Sequence, residues 1–125
     1  MKVMNVGIIS REEYVKRTIA IAKGAYKPKP NEPKVWFESV KSLSQVLSNE
    51  NQALLRLIIE KKPQSLSELE QISHRKKSNL SRTLKTLENY GIVSLSKESG
   101  KVVPTVQATD FEVKFGLNAA VYWQS

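Results

Sequence analysis

The chain has 125 residues, of which 40% are hydrophobic and 26% charged, with 20 Lys and Arg against 12 Asp and Glu and a formal net charge of +8. That composition suits one compact domain with appended structure and excludes a wholly disordered polymer. Cysteine is absent, which excludes disulfides, thiolate chemistry and cysteine-rich zinc sites.

The amino terminus, MKVMNVGIISREEY, has too short an apolar run for a secretory signal, and no stretch reaches the length of a membrane span. The expected location is the cytoplasm, without a membrane partner. Residues 10–24, SREEYVKRTIAIAKG, read as a helix capped by Ser10, with Glu12 and Glu13 in its first turn and Gly24 at its end. Tyr14, Val15, Thr18, Ile19 and Ala22 fall on one semi-apolar stripe that needs burial, either in this domain or against a partner. Pro28, Pro30 and Pro33 then mark an extended linker.

KVWFES follows as a short strand, then a short helix over residues 39–47 and a polar break at 48–51. A longer helix to residue 62 has Leu54, Leu55, Leu57, Ile58 and Ile59 on its buried face, and Pro63 stops it. Ser65 and Glu68 form a capping box at the start of a short helix whose buried edge is Leu66, Leu69 and Ile72. A polar turn over 73–76 leads into a basic helix, in which Leu80, Leu84 and Leu87 point inward and Gly91 supplies the left-handed stop. IVSLS and KVVPTVQ, joined through Gly100, read as a hairpin. FEVKFGL alternates, with Phe111, Val113, Phe115 and Leu117 on one face and Glu112 and Lys114 on the other.

The order of elements predicts an α+β, mainly α fold: a winged helix-turn-helix with an N-terminal helix and an extra C-terminal strand. The expected domains are an N-terminal helical extension over 1–24, a proline-rich linker over 25–34, and the DNA-binding domain over 35–120. Within the last, the recognition helix spans about 77–90 and the wing about 92–107. Charge follows the same order. Arg75, Lys76, Lys77, Arg82, Lys85, Lys97 and Lys101 are opposed only by Glu88 and Glu98 between residues 75 and 101, a local net of +5. Between Leu47 and His74, Arg56, Lys61 and Lys62 face Glu50, Glu60, Glu68 and Glu70, a net of −1.

A basic amphipathic helix is most often a solvated face. Here the capped preceding helix, the glycine stop and the hairpin favour double-stranded DNA, with the basic helix in the major groove. Asn79 and Arg82, three apart near the helix start, are expected to read adenine and guanine edges. Arg75, Lys76, Lys77, Ser78, Ser81, Lys85 and Thr86 are expected to make phosphate or groove contacts. For Ser78 the alternative is a helix cap, and for Thr86 and Asn89 plain exposure. Lys97 and Lys101 flank the hairpin tip and either reach phosphates or a minor groove, or form a charged turn.

SLSELEQISHRKKSNLSRTLKTLENYGIVSL resembles the winged helix-turn-helix of MarR-type and ArsR-type transcriptional regulators. WFESVKSLSQVLS, RKKSNLSRTLKTLENYGIV and VQATDFEVKFGL are similar to a small family of MarR-like DNA-binding regulators of bacteria and archaea. That resemblance covers about residues 10–117. It implies a homodimeric repressor reading two half-sites about one DNA turn apart. Some members resemble antitoxins that bind a neighbouring toxin and repress their own operon, so a cognate toxin is the alternative partner. The flanking helices that hold dimer contacts and ligand pockets in full-length MarR proteins have no counterpart here, so small-molecule sensing is not expected. Dimerisation is assigned to the helices near 39–47 and 51–62 and to the strands near Trp36 and 111–117.

Enzymatic chemistry is not expected. His74 is the single histidine and no nitrogen–sulfur zinc set accompanies it. Glu12 and Glu13 are adjacent and diverge on a helix, Asp110 and Glu112 lack a suggested pocket, and neither a phosphate-binding glycine loop nor a nucleophile elbow occurs. No cofactor or metal is expected.

Overall fold

A computed structural model describes residues 2–117. Within them the fold is α+β, with five helices and five strands. In chain order these are β1 (Val3–Ile8), α1 (Arg11–Ala22), β2 (Val35–Phe37), α2 (Val40–Val46), α3 (Asn49–Lys61), α4 (Leu66–Ser73), α5 (Lys77–Asn89), β3 (Val93–Glu98), β4 (Lys101–Val106) and β5 (Asp110–Lys114). Among the described residues no helix is long and apolar enough to cross a membrane. The carboxy-terminal tail with Tyr122 and Trp123 lies outside the described residues.

The chain divides into two compact units, and their limits differ from the expected domains. Gln45–Thr109, with Lys2, forms one; Val3–Ser44, with residues 110–117, forms the other. The segment over 35–44 and β5, expected to belong with the basic helix, therefore group with the amino-terminal half.

In the second of these units β1 is the central strand of a three-stranded parallel sheet in the order β2-β1-β5. No strand was expected at residues 3–8, where Asn5 and Gly7 interrupt the apolar run. Gly7 is required by packing: a Cβ there would collide with the Trp36 ring and lie 2.9 Å from Pro33 Cγ. α1 is capped as expected, Ser10 Oγ accepting from the Glu13 N–H at 3.2 Å. The face it buries is not the expected one. Arg17 is the buried residue, 8% exposed, with its guanidinium 5.0 Å over the Trp36 ring, while Val15 and Ile19 stay 48% and 47% exposed. The cation–π contact gives the indole face to the arginine stem and charge, so the aliphatic stripe is left in solvent.

The proline-rich stretch has no helix or strand, in keeping with its composition, but it is packed rather than extended into solvent. Tyr26, Glu32 and Pro33 are buried. The Tyr26 hydroxyl donates to Glu32, and the Lys29 N–H donates to the same carboxylate. Burial, with the Glu32 carboxylate beside it, pushes the Tyr26 phenol up to about 12, Arg17 opposing the rise. The alternation in FEVKFGL does not become a buried face: β5 ends at Lys114, and Val113, Phe115 and Leu117 are exposed.

In the unit over Gln45–Thr109, α3, α4 and α5 pack with the antiparallel hairpin β3–β4. Ser48 caps α3, its Oγ accepting from the Asn51 N–H. Leu54, Leu55 and Ile58 are buried, whereas Ile59 is exposed, so the buried face is narrower than expected. Ser65 Oγ accepts from the Glu68 N–H at 3.0 Å, and the Glu68 carboxylate accepts from Gln64 rather than from Ser65 itself. Leu69, Leu80, Leu84, Leu87, Ile92 and Val93 make the core. At the hairpin tip Ser99 and Gly100 both have positive φ, 53° and 76°, the signature of a tight two-residue turn matched to strand twist.

Candidate nucleic-acid interface

α5 follows α4 after a left-handed residue, His74 with φ 60°, and the turn is held by local hydrogen bonds. The Arg75 N–H donates to Ser73 Oγ at 3.2 Å. Lys76 stands at the N-cap of α5 and makes no side-chain cap bond there. The cap comes from α4: the Lys77 N–H donates to Glu70 Oε2 at 3.0 Å, placing a carboxylate where the helix dipole favours it. Ser78 therefore lies inside the helix and is not its cap. At the other end Gly91, with φ 77°, ends the helix as its sequence position implies, its N–H donating to the Glu88 carbonyl.

Leu80, Leu84 and Leu87 are buried, so the rest of the helix surface is fixed by rotation. Ser78, Arg82, Lys85 and Asn89 lie opposite the leucines and are exposed. Asn79, Thr83 and Thr86 form a second row on one flank, and Ser81 lies exposed on the other. The flank with Asn79 borders a cleft of about 450 Å³, walled by Asn79, Arg82, Thr83 and Thr86 on one side and by Gln45, Val46 and Asn51 on the other.

The charged groups expected to contact a polyanion differ in how far they are already engaged. Lys76 and Arg82 are exposed. Lys77 Nζ donates to Ser67 Oγ at 3.3 Å, and Lys85 Nζ pairs with Glu88 at 3.0 Å, a surface contact that costs little to exchange for a phosphate. The Thr86 hydroxyl donates back to the Arg82 carbonyl. Lys97 and Lys101 are exposed on the two strands at the hairpin tip, where Lys101 pairs in register with Glu98. His74 is exposed, and no cluster of metal-binding side chains occurs among the described residues.

Arg75 is placed differently from its cationic neighbours. It is half-buried, and its guanidinium donates to three side-chain oxygens: Nε to Asn79 Oδ1 at 2.8 Å, one terminal nitrogen to Thr83 Oγ1 at 2.8 Å, and the other to Asn51 Oδ1 at 3.3 Å. Asn51 in turn donates from Nδ2 to the Val46 carbonyl at 3.0 Å. A cation grouped by sequence with Lys76 and Lys77 is thus the hub of a polar network between α3 and α5. By sequence Asn51 marks only a helix boundary, and neither Asn51 nor Thr83 is among the expected site residues. Asn79 and Thr83, four apart, line one face of α5, and this spacing is the signal for two of the acceptors, while Arg75 reaches them from the turn before the helix. That the cation is arginine supports the same inference, since only its planar fork serves three acceptors at fixed angles.

No curated protein and no solved structure is significantly similar to this chain. The family model described as HVO_A0114 matches residues 46–113, more than half of the chain, from the end of α2 into β5. The matched stretch holds every residue of the interface just described except Gln45, and the chain belongs to the HVO_A0114 family.

Proposed function

We propose that the chain is a DNA-binding transcriptional regulator, a dimeric repressor acting in the cytoplasm. In this reading α3, α4 and α5 with β3–β4 are a winged helix-turn-helix, α5 enters the major groove and the hairpin is the wing. The observation that carries it is the division of α5. Three buried leucines fix one face, and the opposite face presents Ser78, Arg82, Lys85 and Asn89, with Lys76 and Lys77 at the helix start. Long cations suit phosphates, and Arg82, in the first half of the helix, is the side chain suited to a guanine edge. Lys97 and Lys101 at the hairpin tip extend the positive surface.

The test is binding of the whole chain to duplexes selected from a randomised pool, measured across a salt series. Affinity is expected to fall steeply with salt, and Arg82→Ala is expected to relax preference at one base pair by about 1–3 kcal/mol. Salt-independent binding sinks the nucleic-acid reading, and an Arg82→Ala chain with the parent's preferences sinks the readout assignment. A monomeric mass by light scattering, with and without the duplex, removes the dimer.

A second reading has its own observation. Val15 and Ile19 on α1 are exposed at helical spacing, with Tyr14 exposed on the same helix, and a surface of this kind suits a protein partner. An antitoxin that neutralises the product of a neighbouring gene would use it so. Co-purification with that product, abolished by Ile19→Glu, is the expected result; a complex indifferent to the substitution refutes the assignment.

A further inference from the structure

The network around Arg75 bears on what Asn79 offers to a base, and the inference rests on the DNA-binding reading above. A guanidinium carries donors and no acceptor, so the Asn79 atom 2.8 Å from Arg75 Nε has to be the oxygen. The amide is therefore fixed in one orientation by chemistry. The guanidinium is itself anchored on Thr83 and Asn51, and Asn51 on the Val46 carbonyl. An asparagine pairs bidentately with adenine by turning both amide groups onto one base edge, Oδ1 accepting from the N6 amino group and Nδ2 donating to N7. Here Oδ1 is engaged by Arg75 Nε, and the Nδ2 donor is the group the exposed Asn79 amide offers.

We propose that Arg75 is a positioning residue that sets the hydrogen-bond polarity of Asn79. Braced by Arg75, Asn79 reads its base pair as a donor and prefers an edge that carries acceptors alone, that of guanine (N7 and O6) or thymine (O4), over adenine, whose N6 amino group then lacks the amide oxygen. Without the brace it reverts to the bidentate adenine reader that its residue type suggests. Arg75 touches no base in this scheme. Its effect on specificity is exerted through Asn79, and it is distinct from the phosphate contact that its place in a cationic run implies.

The experiment compares the sequences that the full chain and its variants select from a pool of randomised duplexes. The position whose preference is lost in Asn79→Ala is the one Asn79 reads. At that position the unaltered chain is expected to prefer guanine or thymine. Arg75→Met is expected to move the preference toward adenine by about tenfold, within what one bidentate pair discriminates, with Arg75→Lys, which regains one donor site, falling between. An adenine preference in the unaltered chain, an Arg75→Met profile unchanged at that position, or an Asn79→Ala profile identical to the parent's overturns the proposal. Absence of any enrichment by the unaltered chain instead overturns the DNA-binding reading. If Arg75→Met does not fold, the decision passes to the unaltered chain in solution without DNA. There the Arg75 Nε–H resonance is expected to exchange slowly and to shift in Asn79→Ala; a rapidly exchanging Nε–H indifferent to that substitution removes the brace.

Discussion

α1 and α5 are helices of nearly equal length, both amphipathic by sequence, and they resolve their amphipathicity in opposite ways. α5 buries Leu80, Leu84 and Leu87 and turns its cations outward. α1 buries Arg17 and leaves Val15 and Ile19 in solvent. The cause is the surface each helix meets. α5 lies on an aliphatic core that rewards removal of leucine from water, about 1.5–3 kcal/mol per fully buried side chain. α1 lies where Trp36 presents a ring face, and the attraction of a guanidinium for an indole offsets part of the cost of burying it. An apolar stripe thus identifies the buried face only when the surface opposite is known to be apolar.

The largest expected effect tests that contrast directly. Leu84→Ala should cost about 2–5 kcal/mol, as large-to-small changes at buried sites do, while Ile19→Ala should fall within about 0.5 kcal/mol. Urea denaturation of both variants decides it, and comparable losses would mean that α1 buries its aliphatic stripe in solution. Next comes Gly7→Ala, which forces a methyl group against Trp36 and should cost about 1–3 kcal/mol. Pairing it with Trp36→Leu should return part of that loss; additive losses would show that the clash is not with the ring. The smallest effect is a pH dependence confined to the alkaline range, that of Tyr26 ionisation. Its pKa is raised from 10.0 to about 12, so the stability it contributes is complete below pH 10 and is lost as pH rises toward 12. The parent chain should therefore lose stability faster than Tyr26→Phe across that interval, and parallel losses would remove the linkage.

The same contrast explains what could be read from the sequence. The segment from α3 to β4 was legible because its signals are local: the Ser65–Glu68 cap, the leucine spacing of α5, the Gly91 stop and the tight turn at Ser99–Gly100. The parallel sheet was not. Val3–Ile8 pairs with residues about thirty and about a hundred positions away, and Asn5 and Gly7 blur its apolar run. Gly7 is explained by the ring of Trp36 and by Pro33, which no window around residue 7 contains. At the candidate interface, residue types indicated which side of α5 faces outward. They did not separate Arg75 from Lys76, since the difference lies in Asn51, brought close by the packing of α3.

The pairing of β1 with β5 sets an order on synthesis. Among the described residues the first strand must wait for the last, because Asp110–Lys114 completes the sheet that Val3–Ile8 centres. Gln45–Thr109 is thus inserted in the chain between the halves of another unit. On a ribosome the helices and hairpin, rich in short-range contacts, have all they need before residue 110 emerges. A nascent chain stalled there would be expected to hold a protease-resistant core around α3, α4 and α5 while β1 and α1 are still cleaved.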